Sequence, residues 1–133
     1  MYEVARELHF SYGHRLLEYE GKCSHLHGHN GTVLLTLAAE ALDARGMVAD
    51  FQVIRARLGA WIDVELDHRM ILRRDDPALP VLLELGEPVV VVDFNPTAEN
   101  LARFLFEKAR ELGLPVLEVR LHETPTCSAT YRP

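Results

Sequence analysis

Between Asp50 and Asp67 the apolar residues Phe51, Ile54, Leu58, Trp61 and Ile62 recur at helical spacing, and Asp50 stands where a side chain can accept from the first-turn amides. The spacing predicts a helix with one buried stripe. A second helical pattern follows Pro96-Thr97, with Leu101, Phe104, Leu105 and Leu112 on one face and Gly113 placed for a left-handed C-terminal turn. The other segments read as strands. Residues 2–13 form one, ending near Gly13, and the branched run Thr32 to Ala39 forms another. Val89-Val90-Val91-Val92 is too short for an ordinary helix and reads as a buried strand, preceded by a short helix from Pro77 to Leu85 that Gly86 closes. After Pro115, Leu117, Val119 and Leu121 share one face while Glu118, Arg120 and His122 share the other, the pattern of a half-buried strand. The fold class is α+β, an antiparallel sheet with two main helices.

No repeat or low-complexity tract interrupts the 133 residues, so a single domain over 1–133 is expected. No apolar run approaches the roughly 20 residues that cross a bilayer. The N-terminal stretch Met1 to Glu7 has no cationic segment followed by an apolar one, so no export signal is read and a cytoplasmic setting is expected. A net charge of −6 lacks the positive field that draws a protein to nucleic acid. A small anion could still be held by local cations, for which Arg15, Lys22, Arg69 and Arg73 are candidates.

Three of the seven histidines fall within Cys23-Ser24-His25-Leu26-His27-Gly28-His29. In an extended segment, residues two apart share a face about 6.6 Å apart, so His27 and His29 can converge on one zinc with bonds of about 2.1 Å. A catalytic zinc takes three protein ligands and keeps a fourth position open. His14, at the end of the first strand, is the third candidate ligand, with His9 and His25 as spares. Cys23 has two readings: a fourth ligand closing a structural Cys-His₃ site, or a thiolate base beside an open one. Cys127 has no matched role.

The order Phe10-Ser11-Tyr12-Gly13-His14, then Cys23, His27 and His29, then Asp67-His68, Pro96-Thr97-Ala98-Glu99-Asn100 and Glu123-Thr124 resembles the 6-pyruvoyltetrahydropterin synthase family over nearly the whole chain. The resemblance implies that His14, His27 and His29 bind Zn²⁺ and that the Cys23 thiolate takes a proton from the substrate side chain. Asp67 and His68 would act as carboxylate and proton relay. Glu123 would anchor the pterin ring, and Thr97 and Glu99 match further positions around it. Ala98 stands where some members carry a hydroxyl. Pro96, Thr97 and Glu99 equally suit a helix start.

The resemblance further implies the T-fold, a four-stranded antiparallel sheet with two helices on one face, built into a subunit barrel as a homotrimer or homohexamer. Pterin pockets between subunits would let Glu123 and the zinc triad come from different chains. The implied substrate is 7,8-dihydroneopterin triphosphate. The expected activity is that of a 6-carboxytetrahydropterin synthase of queuosine (7-deazaguanine) biosynthesis, releasing triphosphate and acetaldehyde, a choice that rests on the short chain without an evident extra N-terminal segment. The alternatives are 6-pyruvoyltetrahydropterin synthase activity and a non-catalytic zinc or pterin-binding protein.

Overall fold

The two long strands set the frame. In the computed structural model, which describes residues 1–133, β1 (Tyr2–His14) and β2 (His27–Ala39) pair antiparallel along their whole length, from Tyr2 opposite Ala39 to His14 opposite His27. Alternation sends Leu8, Phe10, Tyr12 and His14 of β1 to the same buried face as Val33, Leu35 and Leu37 of β2. Two helices close that face. Phe51–Ile54 (α1) and Ala60–Glu65 (α2) are joined by a π-helical stretch, Arg55–Gly59, into one rod, and the Asp50 carboxylate accepts from the Gln52 amide at 2.8 Å. Ile54, Leu58, Ile62 and Leu66 lie four apart and are each at most 1% exposed. On an ideal α-helix that spacing drifts by about 40° per step. The wider π turn offsets part of the drift and keeps the stripe on the core.

Ala78–Glu84 forms α3, and Ala98–Glu111 forms α4, which buries Leu101, Ala102, Leu105, Phe106 and Ala109. Its partner strand is β5 (Val116–Thr124), whose Val119 and Leu121 are fully buried. Each such side chain taken from water contributes roughly 1.5–3 kcal/mol before the entropy of ordering is subtracted. Phe51 departs from the expected stripe: it is 50% exposed at the first helical turn, where its carbonyl accepts from Arg6.

The sheet has six strands where four were expected. Added to β1, β2, β5 and the Val89–Val92 strand are Arg69–Arg73 and Cys127–Tyr131. Numbered in chain order, Arg69–Arg73 is β3, Val89–Val92 is β4 and Cys127–Tyr131 is β6, and the spatial order is β4-β3-β1-β2-β5-β6. It is mixed rather than antiparallel, because β3 runs parallel to β1 and β4 parallel to β3, with α3 serving as the crossover between them. No helix is long and apolar enough to cross a membrane.

Candidate functional site

The register that pairs β1 with β2 also assembles the histidines. His14 sits opposite His27 and Tyr12 opposite His29, all four on the core side of the sheet end. The three imidazoles gather with ring centroids 4.5–5.1 Å apart, and one nitrogen from each lies within 4.8 Å of the others. Two carbonyls aim them. His14 Nδ1–H donates to the Pro96 carbonyl and His27 Nδ1–H to the His25 carbonyl, each at 2.7 Å, which leaves Nε2 as the free lone pair. Pro96 thus has a role beyond starting α4, and His25 contributes its backbone rather than its ring. Spacing alone does not reveal a carbonyl's direction, so neither role was readable beforehand. His9 lies on the outer face beside Thr32 and Glu7.

Nε2 of His14, His27 and His29 are all buried without a hydrogen-bond partner, and the Tyr12 hydroxyl is the only other buried side-chain N or O atom in that state. Burial holds the His14 pKa down at about 4, against the Pro96 hydrogen bond and with help from the two neighbouring imidazoles; burial also lowers that of His29. Three convergent Nε2 lone pairs fit a divalent metal, because an ion satisfies all three orphaned acceptors at once. Cys23 is not among these clustered donors, which disfavours the closed Cys-His₃ reading. The Glu123 carboxylate is, by contrast, at the triad: Oε1 lies 3.7 Å from His14 Nε2. Within one chain, the Glu123 carboxylate is therefore already beside the triad.

Asp67 and His68 occupy the turn between α2 and β3. Asp67 Oδ1 accepts from the Ser11 amide at 2.8 Å, His68 Nδ1–H donates to Asp67 Oδ2 at 2.8 Å, and the His68 amide donates to the Ser11 carbonyl at 2.7 Å. Burial pushes the Asp67 carboxyl up, but the hydrogen bonds from Ser11 and His68 outweigh it and hold the group below its ordinary range. His68 has φ of 59°, a left-handed conformation costly for a residue with a Cβ, and its side chain is 79% exposed. Asp67 lines a cleft with His9, Ser11, Asn30 and Thr32, which alternate with the core-facing residues of β1 and β2, so the pair is on the face of the sheet opposite the triad. A groove of about 670 Å³ runs along this face past His68, Arg69, Asn30 and Leu85. Gly13 and Gly28, directly opposite each other in the register, leave its floor bare. Cys23 is half-buried in a 3₁₀ turn, Lys22–Ser24, tied to the end of β1 by the Leu16 amide on its carbonyl at 2.8 Å.

Residues 3–133 match the sequence model of the family described as 6-pyruvoyl tetrahydropterin synthase. The chain belongs to this family. A Rickettsia conorii protein named 6-carboxy-5,6,7,8-tetrahydropterin synthase is 37% identical, with 96% of this chain and 97% of the relative covered. Among solved structures, an uncharacterized Wolinella succinogenes protein matches with a TM-score of 0.85 at 33% identity, covering 98% of this chain and 97% of the other. The 6-pyruvoyl tetrahydropterin synthase of Caenorhabditis elegans matches with a TM-score of 0.74 at 25% identity, covering 99% and 95%. The architecture is thus the family's T-fold.

The remaining family-matched positions separate by role. The Thr97 hydroxyl accepts from the Asn100 amide at 3.2 Å as the N-cap of α4, which leaves its O–H as a donor. Glu99 is exposed in the first turn. Of the four candidate cations, Arg15 is bound to the buried Asp76, Arg73 pairs with Asp75 and Glu18, and Arg69 donates to the Val64 carbonyl.

Proposed function

We propose that this chain is a zinc-dependent lyase that converts 7,8-dihydroneopterin triphosphate and one water to 6-carboxy-5,6,7,8-tetrahydropterin, triphosphate and acetaldehyde, in 7-deazaguanine (queuosine) biosynthesis. The observation that carries it is three imidazoles with orphaned, convergent Nε2 atoms beside a carboxylate. The names of the curated relatives support the carboxy product over the pyruvoyl one.

His14, His27 and His29 hold the Zn²⁺, which when bound polarises a ligand oxygen as a Lewis acid and makes the adjacent C–H more acidic. The Cys23 thiolate takes the side-chain proton. Glu123, beside the triad, anchors the amino and N–H edge of the pterin ring, and Thr97 and Glu99 match further positions around it. Asp67 fixes the His68 tautomer, and the exposed imidazole relays a proton. Within one chain this relay is across the sheet from the triad, so a working site takes it from a second chain. That need, and the unpaired outer sides of β4 and β6, support a homotrimer or homohexamer.

The test is substrate consumption by metal-stripped, zinc-restored and His27→Ala protein. Turnover restored by stoichiometric zinc and lost in the variant is expected. Equal turnover in all three would refute the metal-dependent reading.

A further inference from the structure

Metal binding answers three of the four orphaned polar atoms and leaves the Tyr12 hydroxyl. This residue is 3% exposed, and its ring stands edge-on to His14 at 5.3 Å and tilted to His29 at 5.6 Å, stacked from behind on Phe10 at 4.9 Å. Gly31 makes the position possible: a Cβ there would lie 2.9 Å from Tyr12 Cε1, so the ring leans over a strand position without a side chain. Beyond Gly31 is β5, where His122 pairs with Thr32 and Glu123 follows. Glu123 is close enough for its charge to act on the phenol, yet it does not accept from it.

A buried O–H without an acceptor is costly, and none of the surrounding imidazole nitrogens can serve once they face a metal. The acceptor must arrive with a ligand. We propose that Tyr12 is a further hydrogen-bond donor of the site, its O–H directed at the oxygen of the ligand seated against His14, His27 and His29. On the reading given under Proposed function, that oxygen belongs to the substrate side chain and gains negative charge when the neighbouring proton leaves. A fixed donor in a water-poor cup then stabilises the charge as an oxyanion-hole donor does.

The experiment compares cobalt(II)-substituted wild type with Tyr12→Phe, titrating acetate as the oxygen ligand and following the visible spectrum. Unchanged cobalt stoichiometry with acetate binding weakened about tenfold or more is expected, since a hydrogen bond to a charged acceptor is lost. Equal acetate affinity would overturn the proposal. A second reading needs no variant: acetate added to zinc-loaded wild type should perturb the ultraviolet spectrum of the buried tyrosine, and an unperturbed spectrum would overturn it too. Neither measurement involves a pterin, so both stand apart from the fate of the proposed reaction. With 7,8-dihydroneopterin triphosphate, Tyr12→Phe should lose about a hundredfold in kcat with KM little changed; wild-type kcat beside weakened acetate binding would overturn the assignment of the acceptor to the substrate.

Discussion

Protonation of His14 should destabilise the metal-free fold. Its side chain is 2% exposed, and burial lowers its pKa from 6.5 to about 4. The unfolded chain therefore binds this proton more tightly than the folded one. Stability is fully present above pH 6.5, falls as the pH drops from there, and reaches its full loss below about 4. A depression of about two and a half units corresponds to about 3 kcal/mol at 1.36 kcal/mol per unit, a large share of the 5–15 kcal/mol that typically holds a domain together. The assay is urea unfolding of metal-stripped wild type and His14→Gln between pH 7.5 and 4.5. Glutamine does not titrate, so carboxylate contributions cancel in the difference. Wild type should lose about 2–3 kcal/mol relative to the variant across that range. Parallel pH profiles would show that His14 is not held neutral by the fold, and the account of the cup as a pre-deprotonated site would fail.

Leu58→Ala removes a fully buried side chain between the helical rod and the sheet, and should cost about 2–5 kcal/mol in urea unfolding; under 1 kcal/mol would mean the π stretch does not lock that stripe. Thr97→Ala deletes the α4 cap and should lower stability by about 1 kcal/mol while leaving KM for the pterin substrate near wild type. A large rise in KM would return that hydroxyl to the binding site. Cys23→Ala should keep stoichiometric zinc and lose nearly all turnover, because Cys23 is outside the clustered donors; loss of zinc would revive the closed four-ligand site.

The parts of the fold with a strong period were legible in the sequence. Ile54, Leu58 and Ile62 repeat often enough to declare a helix, and β1, β2 and β5 carry long alternations or branched runs. The strands that were missed have neither signal. β3 is five residues with arginines at both ends and only Met70-Ile71-Leu72 between, and β6 is an edge strand of small and polar residues in which Tyr131, edge-on to Phe106, is the large side chain that packs on the core. The mixed sheet direction follows from where the chain returns after the helical rod and α3, which is a property of tertiary packing. In the site, His27 and His29 were visible from their spacing, and His14 from its place at a strand end. Glu123 was visible only through the family resemblance, and the β2–β5 register brings it beside the triad of its own chain. Tyr12 carries no signal of its own in the sequence, since its buried, unpartnered hydroxyl and the lean of its ring over Gly31 are features of the folded chain.

The central claim is tested most directly by incubating zinc-loaded protein with 7,8-dihydroneopterin triphosphate and identifying the products by mass spectrometry, with and without a chelator. The account requires 6-carboxy-5,6,7,8-tetrahydropterin and acetaldehyde in the zinc-loaded sample and neither in the chelated one. A pyruvoyl product would keep the metal site and transfer the chain to the other activity of its family, and the absence of any metal-dependent product would contradict the account outright.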